Sequence, residues 1–274
     1  MQKIALPSKV EFIQGSDKNH QQIIIEPCYP GYGTTIGNAL RRVLLSSLPG
    51  AAAIGIKIKE ATHEFMTLPH IKEDVLELIL NVKQLRLKVF SGEAVKLELD
   101  ARGEKQVKAG DIKKNSLVEI VNPDLILANI TDMAGSLEME IYVSNGLGYE
   151  TVESRETVKH EIGYMEMDSI FSPILSVGIN VENVRVGKMT NWDKLVLNLA
   201  TDGTITPAEA FKSSVDILIA QFKALIGKTE KIEETAEQEL KPEEKDMVDI
   251  LPEIIGQDEA AKPKKRGRPK KISQ

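Results

Sequence analysis

The sequence predicts an α+β chain that runs into a disordered tail. Three observations carry that prediction: apolar residues at helical spacing in three separate windows, alternating apolar and polar residues between them, and an abrupt change of composition after Gly227. The 274 residues leave room for two modest globular units and a tail.

The elements follow in chain order. QQIIIE (21–26) is a short β-branched strand, and the PCYPGYG after it reads as a Pro/Gly-rich turn. From Thr35 to Leu48, Ile36, Leu40, Val43, Leu44 and Ser47 share one helical stripe, which Pro49-Gly50 ends. IGIKIKE (54–60) alternates as a half-exposed strand. Val75, Leu78, Ile79, Val82 and Leu85 form a second stripe, with Glu73 and Asp74 placed to favour its N-terminus. Residues 85–90 and 95–100, separated by Ser91-Gly92-Glu93, read as a hairpin, and 137–143 and 194–199 alternate similarly. Thr206-Pro207-Ala208-Glu209 is a capping box opening a third helix, with Phe211, Val215, Leu218, Phe222 and Leu225 on its stripe, widened by Ile219 and Ile226. Gly227 stands where a C′ residue belongs.

Charge divides the chain unevenly. Residues 228–261 carry twelve acids and four lysines, net −8, and residues 262–274 carry seven basic residues and no acid, leaving a body of net −5. The first segment reads as an acidic flexible linker, the second as a basic tail, and a mildly acidic body is not by charge a reader of duplex DNA. One cysteine, Cys28, rules out a disulfide framework. No apolar run approaches the ~20 residues of a membrane span, and MQKIALPSKVEF lacks the apolar stretch of a secretory signal. The expectation is a cytoplasmic chain without membrane contact.

Catalytic patterns are missing. The four histidines lack zinc-pair spacing, Cys28 has no base-bearing motif beside it, and neither a nucleophile elbow nor a P-loop occurs. No catalytic residue, metal ligand or cofactor is therefore expected in this chain. A strand, then Gly31–Gly37, then a helix and a strand ending at Glu60 mimic a dinucleotide-binding unit. The spacing is one residue too long for its third glycine, and Lys57 and Lys59 interrupt a strand that should be continuously apolar. A nucleotide-binding enzyme using that loop stays as one alternative, and a stand-alone DNA-binding architectural protein as another.

On the first helix, Asn38, Arg42 and Leu45 cluster on the side away from Leu40 and Val43. An Arg between an amide and a leucine on the back of a core-facing helix suits a protein–protein hot spot. A solvated face with an incidental leucine gives the same spacing.

Here PGYGTTIGNALRRVLLSSLPGAAAIGIKI, then HEFMTLPHIKEDVLELILNVKQL, resembles the alpha-subunit family of bacterial-type DNA-directed RNA polymerase. VEIVNP (118–123), GLGYETVE (146–153), DSIFSPI (168–174), NVENVRVG (180–187) and DKLVLNLATDGTITPAEA (193–210) extend the likeness in the family's order over roughly residues 4–227. The resemblance implies a two-lobed fold: a dimerisation lobe (1–49 and 175–227) with a β-rich lobe (50–174) inserted into it. It implies a homodimer that gathers the beta and beta-prime large subunits, with omega and sigma in the complex, so that this chain is a non-catalytic subunit of a nucleotidyltransferase. Asn38, Arg41, Arg42, Leu45, His63, Glu64 and Asp74 would contact the first large subunit. Asp168, Ser172, Pro173 and Arg185 would contact the second, although ILSVG (174–178) lacks the basic pair expected there. Leu40, Leu44, Phe211, Val215, Leu218 and Phe222 would form the dimer interface.

The family usually continues into a small helical DNA-binding domain. Only 47 residues follow Gly227 here, and the expectation is that KPKKRGRPKK stands in that domain's place. Arg266, Gly267, Arg268 and Pro269 resemble an AT-hook: Gly267 lets the backbone lie deep in a narrow minor groove while both arginines follow A·T edges and flanking lysines meet phosphates. A generic basic tail with salt-dependent, sequence-blind attraction is the alternative.

Overall fold

The computed structural model describes residues 4–15, 17–155 and 161–239. Its elements are β1 (Lys9–Gln14), β2 (His20–Cys28), α1 (Tyr32–Ser46), β3 (Pro49–Ile58), α2 (Val75–Val82), β4 (Leu87–Val89), β5 (Val95–Arg102), β6 (Lys105–Lys108), β7 (Val118–Ile120) and β8 (Ile126–Ile130). They continue with β9 (Ser136–Leu147), β10 (Tyr149–Glu150), β11 (Tyr164–Glu166), β12 (Ser169–Ile170), β13 (Ile174–Val186), β14 (Met189–Thr201) and α3 (Pro207–Glu239). The class is α+β, as predicted, and residues 1–226 form one compact unit.

Two sheets carry most of it. The first has the antiparallel order β1-β2-β14-β13, so its strands come from both ends of that unit. Ile23 and Ile25 of β2 and Leu195, Leu197 and Leu199 of β14 point into one core with Leu40, Leu44 and Leu48. The second sheet, order β5-β9-β3-β4-β7 with β11 also on β3, is built from the residues between. Its β5 and β9 alternate buried and solvated positions, and the buried set meets the whole predicted stripe of α2, from Val75 to Leu85.

The expected hairpin of 85–90 with 95–100 is corrected. β4 pairs with β3 and β7, while β5 pairs with β9, so two strands separate them. Six residue steps from Val89 to Val95 reach about 20 Å, enough to cross three strand spacings of about 4.8 Å. The long β9 offers β5 eight paired positions, which three-residue β4 cannot match.

α1 begins three residues before the predicted start, inside the supposed glycine turn, and its buried face is Gly33, Gly37, Leu40 and Leu44. The glycines let the helix backbone lie on the sheet: a Cβ on Gly37 would stand 2.9 Å from Leu195 Cδ1. Asp74 caps α2 by accepting from the Glu77 N–H at 2.7 Å, as its placement predicts. Glu73 has another role: it is buried and accepts the Asn129 backbone N–H at 2.8 Å.

The capping box of α3 is present. Thr206 Oγ1 accepts the Glu209 N–H at 3.3 Å, and Glu209 Oε2 accepts the Thr206 N–H at 3.1 Å. Gly227 does not end the helix, which continues to Glu239. One glycine costs a helix about 1 kcal/mol, and the Lys- and Glu-rich turns beyond it propagate well. The linker expected from 228 thus begins as helix, and 240–261 lie outside the described residues.

The two sheets meet where β3 and β9 begin and end. Phe171 is buried over Gly50 and Gly146; a Cβ on Gly50 would come within 1.9 Å of the Phe171 carbonyl oxygen. Gly50→Ala is therefore expected to destabilise the chain by about 1–3 kcal/mol in denaturant titrations. Gly92→Ala, where a Cβ meets open space, stays within about 0.5 kcal/mol.

Candidate protein-docking surface

α1 is turned as its spacing predicts. Asn38, Arg41, Arg42 and Leu45 are all exposed, Leu45 at 39 %. Among the described residues neither guanidinium has a carboxylate partner, so both are available to a carboxylate or carbonyl on another chain. Leu40 and Leu44 are corrected: at 2 % and 1 % exposure they fill their own protomer's core and present nothing to a second copy.

His63 and Asp74 are exposed and Glu64 is half-buried, all in the stretch between β3 and α2. This stretch folds onto the head of α2, where the Val75 N–H donates to the Met66 carbonyl at 3.0 Å and Thr67 bridges Asp74. It follows the far end of β3 from α1, about 30 Å along a ten-residue strand. Sequence proximity therefore hid a wide separation.

The second expected set is not brought together. Arg185, exposed near the tip of the β13–β14 hairpin, donates from Nε to the Gly187 carbonyl at 3.0 Å. Twelve residues of nearly continuous strand, about 40 Å, part it from Pro173. Pro173 is corrected: it is buried beside Phe171 and offers no surface, while Ser172 is half-buried.

Asp168 faces its own chain. Its carboxylate accepts the Val152 N–H at 2.9 Å and the Tyr149 hydroxyl at 3.1 Å. The Val152 hydrogen bond is the main cause holding this carboxyl below its ordinary value, with Tyr149, Lys83 and Arg155 adding to it. Beside it, Arg155 donates to the Ile54 carbonyl at 2.9 Å and to Ser169 Oγ at 2.7 Å. Ile54 is the extra residue of a bulge in β3, and its carbonyl also accepts the Met167 N–H at 3.1 Å. These bonds fasten β10 and β12 to β3 and hold Tyr149 and Ile170 outward at 61 % and 55 % exposure. Sequence reasoning missed both; their signal was a strand-forming Tyr and Ile on either side of a glycine- and proline-rich crossing.

The Gly31–Gly37 loop is no nucleotide cradle. The amides of Gly31 and Gly33 at the head of α1, where an anion would sit, both donate to Asp193 Oδ2, at 2.9 and 3.0 Å. Asp193 is buried, so the chain's own carboxylate fills the place a phosphate would need. Burial, with Asp193 nearby, raises the thiol pKa of buried Cys28, the reverse of nucleophile activation. Among the described residues no group of acids, histidines and cysteine is arranged to hold a metal, and no helix is long and apolar enough to cross a membrane.

On α3, Phe211, Val215 and Leu218 are half-buried against the first core, and the Phe211 ring meets Phe12 edge-on at 5.8 Å. Phe222 is 58 % exposed, with Ile219 at 44 % and Ile226 at 59 %. The apolar stripe thus runs on past the sheet that covers its start. The tail residues Arg266, Gly267, Arg268 and Pro269 lie outside the described residues.

Comparison with known proteins fixes the class. Residues 56–172, which hold the second sheet apart from most of β3, match the family described as RNA polymerase Rpb3/RpoA insert domain. Over 242 residues the chain is 45 % identical to the DNA-directed RNA polymerase subunit alpha of Desulforamulus reducens, covering 88 % of this chain and 76 % of that one. It is 47 % identical over 223 residues to the same subunit of Clostridium kluyveri (81 % and 70 % covered) and 46 % over 222 residues to that of Symbiobacterium thermophilum (81 % and 70 %). The chain belongs to the DNA-directed RNA polymerase alpha-subunit family, and its role is in transcription.

The Asp168 bracket predicts an acid-side effect. A carboxyl held low contributes stability that is full above about pH 4 and is lost as pH falls through its lowered value. Asp168→Asn is expected to flatten the loss of stability below about pH 4 in denaturant melts.

Proposed function

We propose that this chain is a non-catalytic scaffold subunit of the polymerase, a nucleotidyltransferase whose active site lies on its partners. The observation that carries this reading is the pair of outward surfaces on α1 and α3. In it, the two ends of the globular part form a dimerisation lobe (1–49 and 175–227), and residues 50–174 form a lobe inserted into it. Ile219, Phe222 and Ile226 join Phe211, Val215 and Leu218 in meeting a second copy, since a contiguous apolar stripe in water is stabilised by burial. A two-fold dimer then displays every other surface twice, and two unlike partners each use one copy.

Asn38, Arg41, Arg42 and Leu45 take the first large subunit, beta, together with His63, Glu64 and Asp74. Arg185 on the hairpin tip takes the second, beta-prime, with omega and sigma completing the complex. The enzyme works in the cytoplasm, on the nucleoid. The tail from 262 to 274 binds A·T-rich DNA upstream of the transcribed segment, with Arg266 and Arg268 in the minor groove.

Two experiments test this. In co-purification with beta, Arg42→Ala is expected to remain a dimer by light scattering and to capture beta at least tenfold less well, as loss of a hot-spot Arg worth about 1.4 kcal/mol or more would produce. In filter binding at equal salt, the full chain is expected to prefer an A·T-tract duplex over a G·C duplex, and deletion of 262–274 is expected to abolish the preference. Equal affinities would leave a sequence-blind tail.

A further inference from the structure

The three helices are started in two different ways. α2 and α3 carry their caps locally, in Asp74 for the one and in Thr206 with Glu209 for the other. α1 has no such cap: Gly31 stands at that position without a side chain, and the first turn holds no acidic residue. A helix head of this kind starts poorly by itself, because its amides and its dipole lack a partner. The partner comes from β14, 162 residues further along the chain, as the Asp193 carboxylate.

The arrangement is closely fitted. Both glycine amides converge on Oδ2, and a Cβ on Gly33 would stand 2.9 Å from that same oxygen, so any side chain there would push the carboxylate away. Asp193 is 7 % exposed, and few waters compete for the amides. β14 holds the approach to α1 from its other face as well. Trp192 and Asp193 are consecutive in a regular stretch of the β13–β14 ladder, so their side chains point to opposite faces. The Tyr29 ring meets Trp192 edge-on at 5.8 Å and Tyr32 at 6.0 Å, so the residues leading into α1 straddle the strand. Every one of these contacts requires β14 to be paired with β2, where Asp193 lies opposite Cys28.

We infer that Asp193 is a positioning residue for partner binding: a remote cap that makes the outward row of α1 available only when β14 is seated beside β2. A chain whose second half has not paired carries Arg42 and Leu45 on a helix without a start, and so presents no docking face. The inference rests on the scaffold reading above and concerns how the docking helix is held, whichever large subunit it meets. Asp193 touches no partner itself, since its carboxylate is spent on its own chain.

Chemical rescue tests this on the full-length dimer. Asp193→Ala opens a space at the head of α1 that a free carboxylate can enter. The variant is expected to stay dimeric and to capture the large subunits about tenfold less well, as a docking helix seated about a tenth of the time would. Sodium formate is expected to restore most of the capture, and sodium chloride at equal ionic strength to restore none. Arg42→Ala, which leaves the cap in place, should gain nothing from formate. Trp192, the one tryptophan of the chain, gives a readout without partners: formate should shift its emission saturably in Asp193→Ala and leave wild type unchanged. In hydrogen exchange, amides 31–37 should lose protection in the variant while amides 195–199 of β14 keep theirs. Full capture by Asp193→Ala, loss of its dimer, or a folded variant that formate does not rescue would overturn the inference. Should Asp193→Ala unfold, Asp193→Asn, which keeps the shape and loses the charge, is expected to fold with the same local loss of protection and of capture. Unfolding of both would make Asp193 a residue of general stability and overturn the inference too. Failure of the unmutated dimer to capture any large subunit would sink the scaffold reading, while the tryptophan and exchange signals would still decide the cap.

Discussion

The seating of α1 on its sheet is the constraint on which the outward surface depends. Asp193 lies in β14 next to the buried leucines, and its carboxylate takes the two free amides at the head of the helix. Hydrogen bonds to a charged group are each worth about 1.5–3 kcal/mol, and the helix dipole adds to them. Gly33 and Gly37 let the backbone settle to contact distance. With the near face fixed by these contacts and by Leu40 and Leu44, helical geometry leaves Asn38, Arg42 and Leu45 no direction but outward. The outward face proposed for docking is thus a by-product of core packing, and its precision follows from the rigidity of the side that is not seen.

A second constraint links the sheets. The chain leaves the first sheet through α1, enters the second at β3, and returns at β13. Phe171 plugs the crossing over Gly50 and Gly146, and Arg155 and Ser169 staple the β3 bulge just beyond it. Surfaces on the two sheets are therefore presented in one fixed relation. A partner that touched both would lose affinity if they drifted.

Much of this was legible in the residues. The α2 stripe from Val75 to Leu85, the Asp74 cap, the capping box at Thr206 and Glu209, and the exposed row of α1 all follow from local periodicity and local hydrogen bonding. Family resemblance carried the transcription role, since motifs in order over most of the chain are specific where any single one is not. The misreadings have a common origin. The supposed hairpin of 85–90 with 95–100 failed because strand pairing depends on which partner offers the longer ladder. Gly31–Gly37 mimicked a phosphate loop, a likeness its own spacing already argued against, because glycines serve equally a ligand or a helix lying against a sheet. Leu40 and Leu44 were placed at the dimer interface because an apolar stripe does not say which apolar surface it meets.

By itself the sequence determined the α+β class, most of the elements, the face each helix buries, and the family. These are short-range properties, set by propensity, periodicity and caps within a few residues. Only the tertiary structure decided the strand order, the inward turn of Asp168, the burial of Pro173 and the outward exposure of Tyr149 and Ile170. Each depends on groups tens to more than a hundred residues apart, such as Arg155 with Ile54 or Gly31 with Asp193. Contacts of that reach leave no periodic trace along the chain, because a hydrogen bond or a packed ring records only distance in space.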